Sequence, residues 1–147
     1  MKLSTKGKYG LYAMIFLAQR RGEGPQSLKA FGELNLPEAY LEQLLGALRR
    51  AGLVNTVRGT QGGYLLSREP ESITVKEILE AMEGPLRFAE CVAEPEQQPC
   101  AHSGSCPARG VWEYLTGEIN ALLTRITLAD IVSQNLCHNE NITEDTE

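Results

Sequence analysis

No stretch of 18 apolar residues occurs in the chain, and Met1-Lys2-Leu3-Ser4 leads straight into polar and basic residues. This argues against a membrane-spanning helix and a signal peptide, and gives the expectation of a soluble, cytoplasmic protein with no membrane partner. No serine–histidine–aspartate set, paired-carboxylate site or phosphate loop stands out, so no enzyme is expected. No two cysteines lie two to four residues apart, the spacing that structural zinc sites use. No acidic residue precedes Glu23.

What is present is a core-forming composition, 42% hydrophobic over 147 residues, sufficient for one domain with an appended element. The net charge of −5 hides an asymmetry. Residues 1–68 carry ten basic and four acidic residues, +6, whereas residues 69–147 carry four basic and fifteen acidic, −11. A basic half joined to an acidic half suggests that the first half meets a polyanion, with nucleic acid the leading partner.

Residues 5–21 place Leu11, Met14, Ile15, Leu17 and Ala18 at helical spacing, ended by Gly22 and Gly24-Pro25. Ser27 is an expected N-cap for a short helix, Leu28 to Leu34. Asn35-Leu36 makes a turn, and Pro37 falls at the expected first position of a third helix that runs to about Ala51 and stops at Gly52. In it Leu41, Leu44, Leu45 and Leu48 face the core, while Glu38, Ala39, Glu42, Gln43, Gly46, Arg49 and Arg50 make a small, polar, basic outer face.

Residues 53–57 and 64–66 read as strands joined by the Gly-rich turn Arg58-Gly59-Thr60-Gln61-Gly62-Gly63. The expected fold class is therefore mainly α with a small β-hairpin wing. Residues 1–84 form a winged helix-turn-helix domain, with the helix-turn-helix at about 27–51 and the wing at about 53–67. Thr74-Val75-Lys76-Glu77 is a capping box opening a helix through Met82, and Gly84-Pro85 ends it. Pro107 opens a long helix whose stripe Val111, Trp112, Leu115, Ile119, Leu122, Leu123 and Ile126 is best buried against the same helix of a second chain. A second capping box, Thr127 to Asp130, starts a short last helix. Residues 107–134 are thus the expected dimerisation segment, and 135–147 a frayed acidic tail.

Residues 85–107 show neither strand nor helix period and contain Cys91, Cys100 and Cys106, with His102 between two of them. Three soft thiolates in one loop suit zinc, copper(I) or an iron–sulfur cluster, and the wide gaps between them fit a loop wrapped round a larger body such as a cluster. The expectation is that a metal centre orders this loop, with His102 as the local candidate for a fourth ligand and Cys137 and His138 as lesser ones.

The segments Leu3-Ser4-Thr5-Lys6-Gly7-Lys8-Tyr9, Tyr40-Leu41-Glu42-Gln43-Leu44, Val57-Arg58-Gly59 and Gly62-Gly63-Tyr64-Leu65-Leu66, with the three-cysteine loop, resemble the Rrf-two family of winged-helix regulators. The resemblance is strongest to its regulators of iron–sulfur-cluster assembly. It implies a homodimer on a palindromic double-stranded DNA site and a [2Fe–2S] rather than [4Fe–4S] cluster on Cys91, Cys100 and Cys106, with cluster occupancy setting DNA affinity. It also implies that Glu42 tunes site choice, that Gln43 contacts bases and that Arg58 enters the minor groove.

The candidate DNA-contacting set is Ser4, Lys6, Lys8, Tyr9, Ser27, Ala39, Tyr40, Glu42, Gln43, Arg49, Arg50, Arg58, Gly59, Thr60, Gly62 and Gly63. The gap between Cys91 and Cys100 is longer than is usual in the family, and two positions also depart from its pattern. Arg109 stands where a ligating histidine is usual, and Lys8 occupies the region from which some relatives supply a partner-chain carboxylate. Nitric oxide, iron or redox sensing, an iron–sulfur electron carrier and a zinc-stabilised DNA binder are the alternatives.

Overall fold

The computed structural model describes residues 2–92, 100–102, 104–134 and 136. The expected C-terminal tail and the middle of the cysteine loop therefore lie almost wholly outside the described residues. Among the described residues, five α-helices and one hairpin follow in the order α1 (Thr5–Gln19), a 3-10 helix (Leu28–Leu34), α2 (Glu38–Arg50), β1 (Val54–Val57), β2 (Gly63–Leu66), α3 (Val75–Glu83), α4 (Arg109–Arg125) and α5 (Leu128–Val132). Short 3-10 turns at Pro70–Ser72 and Glu90–Val92 join them.

One core unites the first eighty residues with α5. Met14, Leu44, Leu45, Leu48, Ile73, Ile78 and Leu128 are fully buried in it, and Phe16 stacks on Phe31 with ring centroids 4.3 Å apart. Each such side chain contributes about 1.5–3 kcal/mol of burial. The i, i+3, i+4, i+7 leucines of α2 all lie inside, as their spacing requires.

Helix ends follow local chemistry. The α2 terminus closes with Gly52 at φ 77°, its N–H donating to the Arg49 carbonyl, while the Leu53 N–H donates to that of Leu48. This is the Schellman pattern, and Leu53 is buried as that motif favours. Both capping boxes form, Thr74 with Glu77 and Thr127 with Asp130.

Three expectations shift. Pro37 is the N-cap of α2 rather than its first residue, because its ψ of 135° is extended. Ser27 makes no side-chain cap bond, and the helix it precedes is of the tighter 3-10 type. Pro107 lies two residues before α4, which starts at Arg109.

In the hairpin Val54 pairs with Leu66 and Val57 with Gly63. Gln26, just before the helix-turn-helix, adds a bridge to Tyr64 through two backbone hydrogen bonds of 2.8 Å. At the wing's base Arg68 donates to the Ser72 carbonyl and pairs with Glu77 at 2.8 Å, tying the wing to α3.

Helix α4 contributes no buried residue, and Val111, Tyr114 and Leu122 on it are about half or more exposed, at 52%, 68% and 48%. Its C-terminal end is nevertheless fastened to the core. Val75 N–H donates to the Ile126 carbonyl, Leu128 N–H to that of Ile73, and the Leu128 side chain is fully buried. Among the described residues no helix is long and apolar enough to cross a membrane.

Candidate DNA interface and cysteine loop

The outer face of α2 leaves Ala39, Glu42, Gln43, Arg49 and Arg50 exposed, with Tyr40 half-buried against the core. The two arginines stand in its last turn, where the helix dipole favours cations. Beside it projects the wing tip, with Arg58, Gly59 and Thr60 exposed. Gly59 has φ 111°, a conformation glycine adopts without steric cost.

Gly62 and Gly63 have other duties than contact. A Cβ on Gly62 would lie 2.0 Å from the Val57 carbonyl oxygen, and one on Gly63 would lie 2.3 Å from that of Gln26. Both glycines let strands approach closely. Ser27 is exposed between the wing and the helix-turn-helix.

The first turns of α1 carry Ser4, Lys6 and Lys8, all exposed. Lys8 Nζ lies 5.7 Å from the ring centroids of both Tyr9 and Tyr12. Tyr9 is half-buried against the core and meets Tyr12 edge-on, which makes it a packing residue as well as a candidate contact. Its neighbour Ser4 caps α1, accepting from the Gly7 N–H, and donates its own N–H and hydroxyl to Glu83.

Cys91, Cys100 and Cys106 are free thiols, each half-buried, and His102 is exposed. Cys91 sits in the turn Glu90–Val92, and the Cys106 carbonyl accepts from the Arg109 N–H at the start of α4. Arg109 Nε pairs with Glu113 at 2.7 Å, one turn further along. Three thiols and an imidazole are a donor set matched to iron or another soft metal. Among the described residues no three histidine, cysteine or acidic side chains are gathered closely enough to hold a metal ion.

The loop's first segment is held by the protein itself. Phe88 stacks on Trp112 with centroids 5.6 Å apart, the Phe88 N–H donates to Thr116 Oγ1, and Asn120 Nδ2 donates to the Leu86 carbonyl. Residues 86–88 at the N-terminal end of the loop are thus held by contacts with α4. Asn120 and Glu83 escaped the sequence reading. The one signal for Asn120 was an amide within an otherwise apolar helix stripe.

A family model, Rrf2, described as "Iron-dependent Transcriptional regulator", matches residues 3–134. The chain belongs to the Rrf2 family. It is 44% identical over 135 residues to the HTH-type transcriptional regulator CymR of Bacillus subtilis (strain 168), covering 90% of this chain and 91% of that protein. Its fold matches the structure of CymR (YrzC), the global cysteine regulator of B. subtilis, with a TM-score of 0.74 at 41% identity, over 91% of this chain and 98% of the other. It matches T. potens IscR with a TM-score of 0.72 at 44% identity, over 95% and 91%.

Like these Rrf2 relatives, the protein is a DNA-binding transcription regulator of winged-helix fold and not an enzyme.

Proposed function

We propose that this Rrf2 regulator senses iron–sulfur status, most directly to control iron–sulfur-cluster assembly genes. Cys91, Cys100 and Cys106 hold a cluster, [2Fe–2S] in preference to [4Fe–4S], with His102 the candidate fourth ligand. The observation that carries this reading is the grouping of three free, half-buried thiols in one segment flanking the start of α4. A cluster there would supply a group that is lost or changes charge with the cell's iron and redox state.

The protein's own contribution is coupling. The segment bearing Cys91 is pinned to α4 through Phe88 and Asn120, and it begins one residue after α3 ends at Glu83. A change in the loop is therefore transmitted to α3 of the reading domain and to α4. The half-exposed Val111, Tyr114 and Leu122 support α4 as the seam of a homodimer that sets two reading heads on a palindromic DNA site. Glu42 and Gln43 face the major groove and Arg58 the minor groove.

A second reading is favoured by the cysteine-regulator relative. In it the same thiols carry no metal and respond to thiol or redox chemistry directly. Protein purified without oxygen separates the two. The expected result is a coloured protein with about two iron and two sulfide per chain, whose colour is lost on replacing the three cysteines by serine. Colourless, iron-free protein that still binds DNA would overturn cluster sensing in favour of the second reading. Equal DNA affinity with and without cluster, at fixed salt, would remove the switch while leaving the DNA binding.

A further inference from the structure

Helix α1 starts with the wrong charge for a helix N-terminus. Its first turn holds no acid, while Lys6 and Lys8 stand where the dipole disfavours cations. Glu83, distant in sequence, makes up the deficit. Its Oε1 accepts from the Ser4 N–H at 2.8 Å and from the Ser4 hydroxyl, whose oxygen in turn accepts from the Gly7 N–H at 3.1 Å. The hydroxyl has one proton, and it goes to Glu83.

Glu83 is equally misplaced on its own helix, being an acid in the last turn of α3. One carboxylate thus sits between the negative end of α3 and the positive end of α1. Room for it comes from Gly7, where a Cβ would lie 2.3 Å from Glu83 Oε1; at Gly10 a Cβ would lie 2.4 Å from Met82 Sδ, so both glycines let the end of α3 pack closely on α1. The next residue, Gly84, has φ 80° and turns the chain into the cysteine loop.

We propose that Glu83 is a positioning residue for DNA binding. It fixes the first turn of α1 so that Lys6 and Lys8 meet the phosphate backbone, and it joins that turn to the residue from which the cysteine loop departs. The proposal rests on the reading of Lys6 and Lys8 as phosphate contacts, and it goes beyond it by assigning an acidic residue a favourable role in binding a polyanion.

That role gives the test its sign. Removing a carboxylate from beside a DNA-binding surface should tighten binding if only net charge mattered. Loss of a positioning residue should weaken it. The experiment measures binding of full-length Glu83→Ala and Glu83→Gln, by fluorescence anisotropy over a salt series, to a duplex that the wild-type protein selects from a random pool.

The expected result for Glu83→Ala is about tenfold weaker binding, with a salt slope shallower by about one for each phosphate the protein ceases to neutralise. Glu83→Gln, which keeps an acceptor oxygen but not the charge, should fall between. Lys6→Ala should weaken wild-type binding and add little to Glu83→Ala. Unchanged or tighter binding by both Glu83 variants, with an unchanged slope, would overturn the proposal. A silent Lys6→Ala alongside a weakened Glu83→Ala would instead move the phosphate contact to Lys8 and leave Glu83's role standing.

Discussion

Replacing Gly63 by alanine separates packing from DNA contact at the wing. The added methyl would stand 2.3 Å from the Gln26 carbonyl oxygen, 2.5 Å from its carbon and 2.9 Å from the Ser27 nitrogen. All three are backbone atoms, so no side-chain rotation relieves the clash. The strand must move away, and the two 2.8 Å hydrogen bonds between Gln26 and Tyr64 lengthen or break. At about 1 kcal/mol net for each bond, with 1–3 kcal/mol typical of overpacking a tight site, the loss is roughly 3–5 kcal/mol.

Urea unfolding at fixed protein concentration reads this as a midpoint lowered by about 1.5–2.5 M, at a slope of about 2 kcal/mol/M. Gly59→Ala is the control. Its Cβ meets nothing within 4 Å, so only the backbone cost of φ 111° remains, about 1–3 kcal/mol. Gly63→Ala with wild-type stability but weakened DNA affinity would refute the reasoning and make Gly63 a contact residue instead.

Two further outcomes follow from features of the fold. Val111→Glu with Leu122→Glu places charges on half-exposed positions of α4, so the chain should stay folded while sedimentation shows monomer in place of dimer. Glu77 is pushed up by burial, but the Thr74 backbone N–H, the Arg68 side chain and the Thr74 hydroxyl together outweigh that and hold its carboxyl below the usual range. A depressed folded-state value stabilises the protein above the ordinary carboxylate pKa, and that stability is lost as the pH falls through the folded value. Glu77→Gln should therefore cost about 1 kcal/mol or less at neutral pH, since both partners are partly exposed. In thermal unfolding the difference should vanish in acid.

Elements with a local cause were legible in the sequence. The two capping boxes, the glycine stop at Gly52 and the leucine stripe of α2 each depend on residues within one or two turns, and each formed where the pattern placed it. The contacts that escaped join distant residues. Ser4 and Glu83 are 79 positions apart and Leu86 and Asn120 are 34 apart, and no periodicity points from one to the other. Helix starts were misjudged at both prolines for a related reason. Proline fixes φ but not ψ, so Pro37 could cap a helix as easily as begin it. In the candidate site the thiols were plain from the sequence, whereas the docking of their segment on α4 through a stacked Phe88–Trp112 pair was not.

The fastening of α4 bears on operator architecture. The helix has 17 residues and is thus about 25 Å long, held by the Phe88–Trp112 stack near its start, by Asn120 past its middle and by Leu128 beyond its end. In the proposed two-fold pair, the crossing angle of the two α4 helices sets the separation of the two α2 helices. A tilt of about 8° displaces the far end of a helix this long by roughly 3.5 Å, close to the rise of a single base pair. The number of base pairs between operator half-sites would then report the crossing angle of the two helices.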